Sequence, residues 1–137
     1  MDTISALWQL DTLERAKDYL ADNPDAPLRL QNFIGNQFSA YSGIEQWIES
    51  LNPSSGDVLA HVPRSTPTDV ERAVDAAARA FPTWSQTSRS ERSNFLQQIA
   101  AILSENKELF AVWESIDQGK TLSRARVEVD RAISNFR

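Results

Sequence analysis

The sequence predicts short β-strands followed by a run of mainly α-helices, and three observations carry that prediction. Gly35-Asn36 lies between strand-like flanks in "LRLQNFIGNQF", and a two-residue Gly-Asn connection of this kind reads as a β-hairpin. Val58, Ala60 and Val62 alternate with Leu59, His61 and Pro63, as the side chains of a half-buried strand do. From Thr68 onward the apolar residues recur at three- and four-residue intervals, and the chain turns helical.

The elements follow in order. The opening "ISALWQLDTLERAKDYLADNPDAP" places Leu7, Leu10, Leu13 and Leu20 at roughly helical spacing and breaks at Pro24 and Pro27. It reads as an amphipathic extension that docks on its own core; a helix that binds a partner is the other reading. After the hairpin, "NPSSGD" is a turn, with Asn52-Pro53 to start it and Gly56 as the permissive position. "TDVE", Thr68 to Glu71, is read as a capping box. The helix it opens is expected to bury Val70, Ala73, Val74, Ala77 and Phe81, and to stop at Pro82. "SRSE", Ser88 to Glu91, is a second capping box, followed by Leu96, Ile99, Ala100 and Leu103. Leu109, Val112, Trp113 and Ile116 give a third helix one apolar face. That helix ends near Gln118 on Gly119, a residue suited to the left-handed position after a helix. Lys120 suits the negative end of the same helix. The final segment sets Leu122, Val129, Ala132, Ile133 and Phe136 on one face and finishes in mid-pattern, which leads us to expect a cut chain.

Composition excludes several classes. The 137 residues carry 14 basic and 19 acidic side chains, a net charge of −5. Without a basic patch there is no electrostatic case for binding nucleic acid or an anionic membrane surface. No run is long and apolar enough to span a bilayer. Asp2, Glu14 and Asp18 fit neither a secretory signal nor a transit peptide, so the cytosol is expected. The chain has no cysteine; it can form no disulfide, no cysteine-based zinc site and no thiol nucleophile.

Individual motifs are weak taken singly. "DQGKT", Asp117 to Thr121, resembles the end of a phosphate-binding loop, but the earlier glycine such a loop needs is replaced by Glu114. The segment before it also has helical periodicity where a strand is required. Glu114 and Asp117, three residues apart, read as a solvated helix face more readily than as an acid–base pair. Glu128, Asp130 and Arg131 read the same way. His61, the only histidine, has no nucleophile or paired acid near it in sequence and is expected to be structural. Trp8, Trp47, Trp84 and Trp113 are scattered, as core and boundary anchors are.

The order of the motifs is more specific. "NPSSGDVLAHVP", then "DVERAVDAAARAFPTWS", then "ERSNFLQQIAAILSENKELFAVWESIDQGKTL" resembles the N-terminal part of the aldehyde dehydrogenase superfamily. There an Asn-Pro-x-Ser/Thr-Gly turn, an Ala-rich helix ending in Phe-x-x-Trp and a Glu-Ser/Thr-x-Asp-x-Gly-Lys stretch occur in this order. The resemblance runs from about Leu30 to Arg137, and the closing "VDRAISNFR" is similar to the branch containing 2-aminomuconic semialdehyde dehydrogenase.

The resemblance implies an α/β parent enzyme with a Rossmann-type coenzyme domain, of which this chain supplies hairpin strands and then helices. It divides the chain into a helical extension, 1–28, and the N-terminal part of the dehydrogenase domain, 29–137. The parent oxidises an aldehyde to an acid with NAD, using a cysteine thiolate and a glutamate-activated water that lie beyond this segment. With no thiol and no Gly-rich strand-to-helix turn, the segment alone is expected to be inactive and to bind no NAD. Family members are homo-oligomers, so the expected partners are the remainder of the fold and further subunits. Arg131 matches an arginine that contacts a substrate carboxylate in the aminomuconate branch. Asp117, with the backbone carbonyls of Ser50 and Leu51, matches a monovalent cation site. The alternative is a non-catalytic short isoform or helical adaptor that binds the full-length subunit or another partner.

Overall fold

The computed structural model describes residues 28–39 and 46–137, together with Asp18 and Asp22. The helical extension expected over 1–28 lies outside the described residues, apart from Leu28 and from Asp18 and Asp22, which are both helical and exposed. Trp8 lies outside them as well.

Short strands come first. β1 (Leu28–Arg29), β4 (Trp47–Leu51) and β5 (Val58–Pro63) form one sheet in the order β1-β5-β4, whereas β2 (Asn32–Ile34) and β3 (Gln37–Ser39) pair as a separate hairpin. Gly35 and Asn36 both adopt positive φ, 61° and 63°. That matches the right-handed twist of the two strands, so the expected hairpin forms, with Phe33 opposite Phe38. "LRLQNF" is not one strand, however. The chain leaves the first sheet after Arg29 and enters the second at Asn32, because β1 runs parallel to β5 with Leu28 beside Ala60.

β4 and β5 are antiparallel, and the Asn52–Asp57 turn joins them. The Asn52 side-chain oxygen accepts from the Ser54 amide at 2.9 Å, and its carbonyl accepts from the Gly56 amide at 2.7 Å. Gly56 takes φ +82°, a conformation that costs a glycine nothing.

Four helices follow: α1 (Pro67–Ser85), α2 (Arg89–Glu105), α3 (Lys107–Gln118) and α4 (Leu122–Asn135). Two sequence expectations about α1 need correction. Its capping box is Thr66 with Asp69, two residues before the expected pair: the Asp69 amide donates to Thr66 Oγ1, and the Thr66 amide donates to Asp69 Oδ2 at 2.8 Å. The "TPTDVE" stretch contains both frames, and only the first puts a proline at N1, where its missing N–H costs no bond. Pro82 does not stop the helix. It removes a single amide near the C-terminus, and the last turn closes through Gln86 N to Thr83 O and Thr87 N to Trp84 O.

The Ser88–Glu91 box forms as expected, with the Ser88 amide donating to Glu91 Oε2 at 2.7 Å. That bond is the main cause holding the Glu91 carboxyl below its ordinary range. α3 ends as expected on Gly119 at φ 69°.

The core lies among α2, α3 and α4. Ala111 and Ala125 are fully enclosed, and Ala100, Val129 and Ile133 join them, with Leu103, Leu122 and Phe136 packed around. Small residues let the helix backbones approach closely here. The stripe expected to be buried on α1 is not: Val70, Val74 and Phe81 are 58%, 61% and 64% exposed. On α2, Leu96 and Ile99 are likewise exposed. No described element covers that face. Among the described residues no helix is long and apolar enough to cross a membrane.

Candidate functional site

A concave region lies between the sheet and α3. It is a groove of about 630 Å³ walled by Leu28, Leu30, Leu59, Val62, Leu109 and Trp113, with Ser50 and Asp117 among its lining. Helical spacing puts Leu109, Trp113 and Asp117 on one face of α3, where they line the groove. Its volume is in the range of ligand pockets, and its lining is mostly apolar with two polar groups.

The fold brings Ser50 to Asp117. The Ser50 hydroxyl donates to Asp117 Oδ1 at 2.9 Å, although the residues are 67 positions apart. Leu51 follows Ser50 at the point where the β4–β5 register shifts. All the donors named here are oxygens, which suits a hard cation and not zinc. Among the described residues no three His, Cys, Asp or Glu side chains gather as a metal cluster.

The "DQGKT" stretch is built as a helix junction. Gly119 needs both its positive φ and its lack of a side chain, because a Cβ there would stand 2.8 Å from Pro53 Cγ. The "NPSSG" turn is thus packed against the end of α3, which links two of the motifs seen in sequence. Thr121 caps α4 by accepting from the Arg124 amide. Lys120 Nζ is held by Glu114 at 2.5 Å and by Glu128 at 2.6 Å. These bonds, Glu114 first, raise the ammonium above its ordinary pKa, and Lys120 is the leading cause lowering the Glu128 carboxyl. Lys120 therefore ties α3 to α4. Its position beyond a helix end is visible in the sequence, and its two partners are not.

The paired acids separate in space by role. Glu114 serves Lys120, Asp117 receives Ser50, and Asp130 pairs with Lys107 at 2.7 Å. His61 stands 3.8 Å from Glu49 and stacks at a tilt on Trp47, with no nucleophile paired to it among the described residues. Trp47 and Trp113 are half-buried, while Trp84 is exposed and meets Phe95 at 5.7 Å.

Arg131 is exposed on α4. The other two arginines of that helix are engaged: Arg124 bonds Glu128, and Arg126 grips Glu108 with distances of 2.8–3.0 Å. This grip lowers the Glu108 carboxyl and raises the guanidinium. Arg131 makes no ion pair with the described residues. It is not among the residues that line the groove.

Residues 38–137 match the profile of the aldehyde dehydrogenase family. The chain belongs to the aldehyde dehydrogenase family. The 2-aminomuconic semialdehyde dehydrogenase of Bos taurus is 46% identical over 111 residues, covering 80% of this chain and 22% of the relative. Its Homo sapiens counterpart is 46% identical over 114 residues, covering 82% and 23%. Among solved structures, HpcC from Thermus thermophilus superposes with a TM-score of 0.77 at 32% identity, covering 90% of this chain and 23% of that one. The chain thus spans under a quarter of the length of these aldehyde dehydrogenases, and its strands followed by four helices are an α/β fragment of their fold. Family membership carries NAD or NADP as the coenzyme of the complete enzymes.

Proposed function

We propose that these residues serve as the N-terminal portion of an NAD-dependent aldehyde dehydrogenase that oxidises a carboxylate-bearing semialdehyde to an acid. The family match together with the absence of any cysteine carries this reading. The portion supplies architecture, and the remainder of the fold supplies the thiol, the base and the coenzyme site. Of the glycines, Gly35 sits in a hairpin, Gly56 in a turn and Gly119 at a helix end. None of these three opens a helix after a strand, as a pyrophosphate-binding turn does. Alone, the segment is therefore inactive and binds no NAD. Its division into an extension, 1–28, and a dehydrogenase part, 29–137, its cytosolic setting and its homo-oligomeric assembly belong to the same proposal.

Two residues carry finer roles in it. Arg131, charged and without a partner among the described residues, receives the substrate carboxylate; guanidinium binds carboxylate bidentately at little cost in ordering. The names of the 2-aminomuconic semialdehyde dehydrogenases support that substrate class. Asp117, with the carbonyls of Ser50 and Leu51, holds a monovalent cation that stiffens the junction of β4 and α3.

The test has two arms. The purified 137-residue chain mixed with NAD and an aldehyde is expected to form no NADH, and turnover would refute the assignment of inactivity. In a complete enzyme carrying these residues, Arg131→Ala is expected to raise KM for a carboxylate-bearing semialdehyde by about 10- to 100-fold, from the loss of a charged hydrogen bond. A neutral aldehyde should be unaffected. Equal loss for both substrates would remove Arg131 from the substrate site.

A further inference from the structure

We infer that the groove between the sheet and α3 is a binding site for an amphipathic organic monocation, with its ammonium head on Asp117 and its apolar body along the leucine-lined wall. The groove holds about 630 Å³, and among the described residues Ser50 and Asp117 supply its polar side chains. A site of that size, apolar apart from one polar corner, suits a small molecule with a hydrocarbon body and a single polar end. A bare metal ion at the same corner leaves the apolar wall unused.

Charge decides which end group fits. Asp117 accepts the Ser50 hydroxyl through Oδ1 at 2.9 Å, and no lysine or arginine pairs with it among the described residues. The nearest cation in sequence, Lys120, is held instead by Glu114 and Glu128. Asp117 also sits in the last turn of α3, where the helix dipole adds partial negative charge. Trp113, one turn earlier, lines the same groove and brings an aromatic ring, whose face attracts an ammonium group. Leu109 follows one turn further back, so this wall runs about 12 Å along α3 from the carboxylate to its apolar end. The chain's net charge of −5 favours the approach of a cation and disfavours an anion of the same shape. The inference goes beyond the metal site proposed for Asp117 by giving the same carboxylate an organic cation, and the two readings fail separately.

Calorimetric titration of the full 137-residue chain with octylamine, butylamine, octanol and octanoate tests it. Each buried methylene strengthens binding by about fourfold, so octylamine is expected to bind at least about tenfold tighter than butylamine. Its charge should make it at least about tenfold tighter than octanol as well. Octanoate should bind no better than octanol. Asp117→Asn is expected to bring octylamine down to the level of octanol and to leave octanol itself unchanged. The comparison of ligands on the unsubstituted chain carries the test even if that variant fails to fold. Equal affinity of octylamine and octanol, or of octylamine and butylamine, would overturn the inference. So would formation of a dimer that excludes octylamine, because a second copy would then be the occupant. Sodium binding, read from sodium NMR relaxation, with no octylamine binding would overturn this inference and leave the metal site standing. Octylamine binding without sodium binding would do the reverse.

Discussion

Helices α1 and α4 are both amphipathic and both properly capped, yet they end in opposite environments. α4 buries Ala125, Val129 and Ile133 against α2 and α3, and ion pairs from Lys107, Lys120 and Arg126 bind α3 to it. α1 buries only Asp69, its own capping carboxylate, and shows Val70, Val74 and Phe81 to solvent. The difference shows that a helix can be specified by local signals while its burial depends on a partner surface. The dehydrogenase relatives are more than four times as long as the matched stretch, which is consistent with α1 and the outer face of α2 packing on the remainder of the fold.

The largest expected effect tests that contrast directly. Ile133→Ala should destabilise the chain by about 2–5 kcal/mol, because it removes a buried side chain and leaves a cavity. Phe81→Ala should cost less than about 0.5 kcal/mol despite deleting a larger group, since its ring is mostly in water. Urea unfolding followed by circular dichroism measures both. A loss above about 1 kcal/mol at Phe81 would show that the outer face of α1 is covered in solution.

A smaller effect is expected at the junction of turn and helix. Gly119→Ala should cost about 1–3 kcal/mol, from strain at positive φ and from the approach of Pro53. Adding Pro53→Ala should recover part of the loss, since it relieves the crowding but not the backbone strain. Strict additivity of the two changes would mean that they do not touch.

The smallest effect is a pH dependence of the α3–α4 tie. Glu128 is held below its ordinary carboxyl pKa, chiefly by Lys120. On acidification the unfolded chain binds its proton first, so this contribution is present above the ordinary carboxyl range and is lost as pH falls through the lowered value. Lys120 is held above its ordinary ammonium pKa, chiefly by Glu114, so its contribution is lost only as pH rises through that raised value. Thermal melts at about pH 7 and about pH 3.5 should show a smaller acid-induced decrease for Glu128→Gln than for the unsubstituted chain. Identical decreases would assign the acid sensitivity to other carboxylates.

Much of this architecture is legible in the sequence. The Ser88–Glu91 box, the Gly35-Asn36 hairpin and the left-handed Gly119 all form as expected, because each is decided within a few residues by backbone geometry and a local hydrogen bond. The shift of the first capping box from Thr68 to Thr66 is local too. Two overlapping frames compete in "TPTDVE", and the proline at N1 is the deciding signal. Pro82 falls where a helix is about to end, and one missing amide in a last turn does not end it sooner. The site is less legible, since Asp117 and Ser50 meet across 67 residues. No pattern within either segment contains the other, and only the resemblance to the dehydrogenases joins them beforehand.

The sequence by itself determined where most turns and helices begin and end, the absence of a thiol, and the family to which the ordered motifs belong. Those are properties of neighbouring residues or of composition. Tertiary structure alone decided that β1 leaves the hairpin to pair with β5, that Lys120 bridges two carboxylates, and that the stripe on α1 stays in water. Burial and pairing are set by which surfaces meet, and amphipathic patterning states that a face needs a partner without naming it.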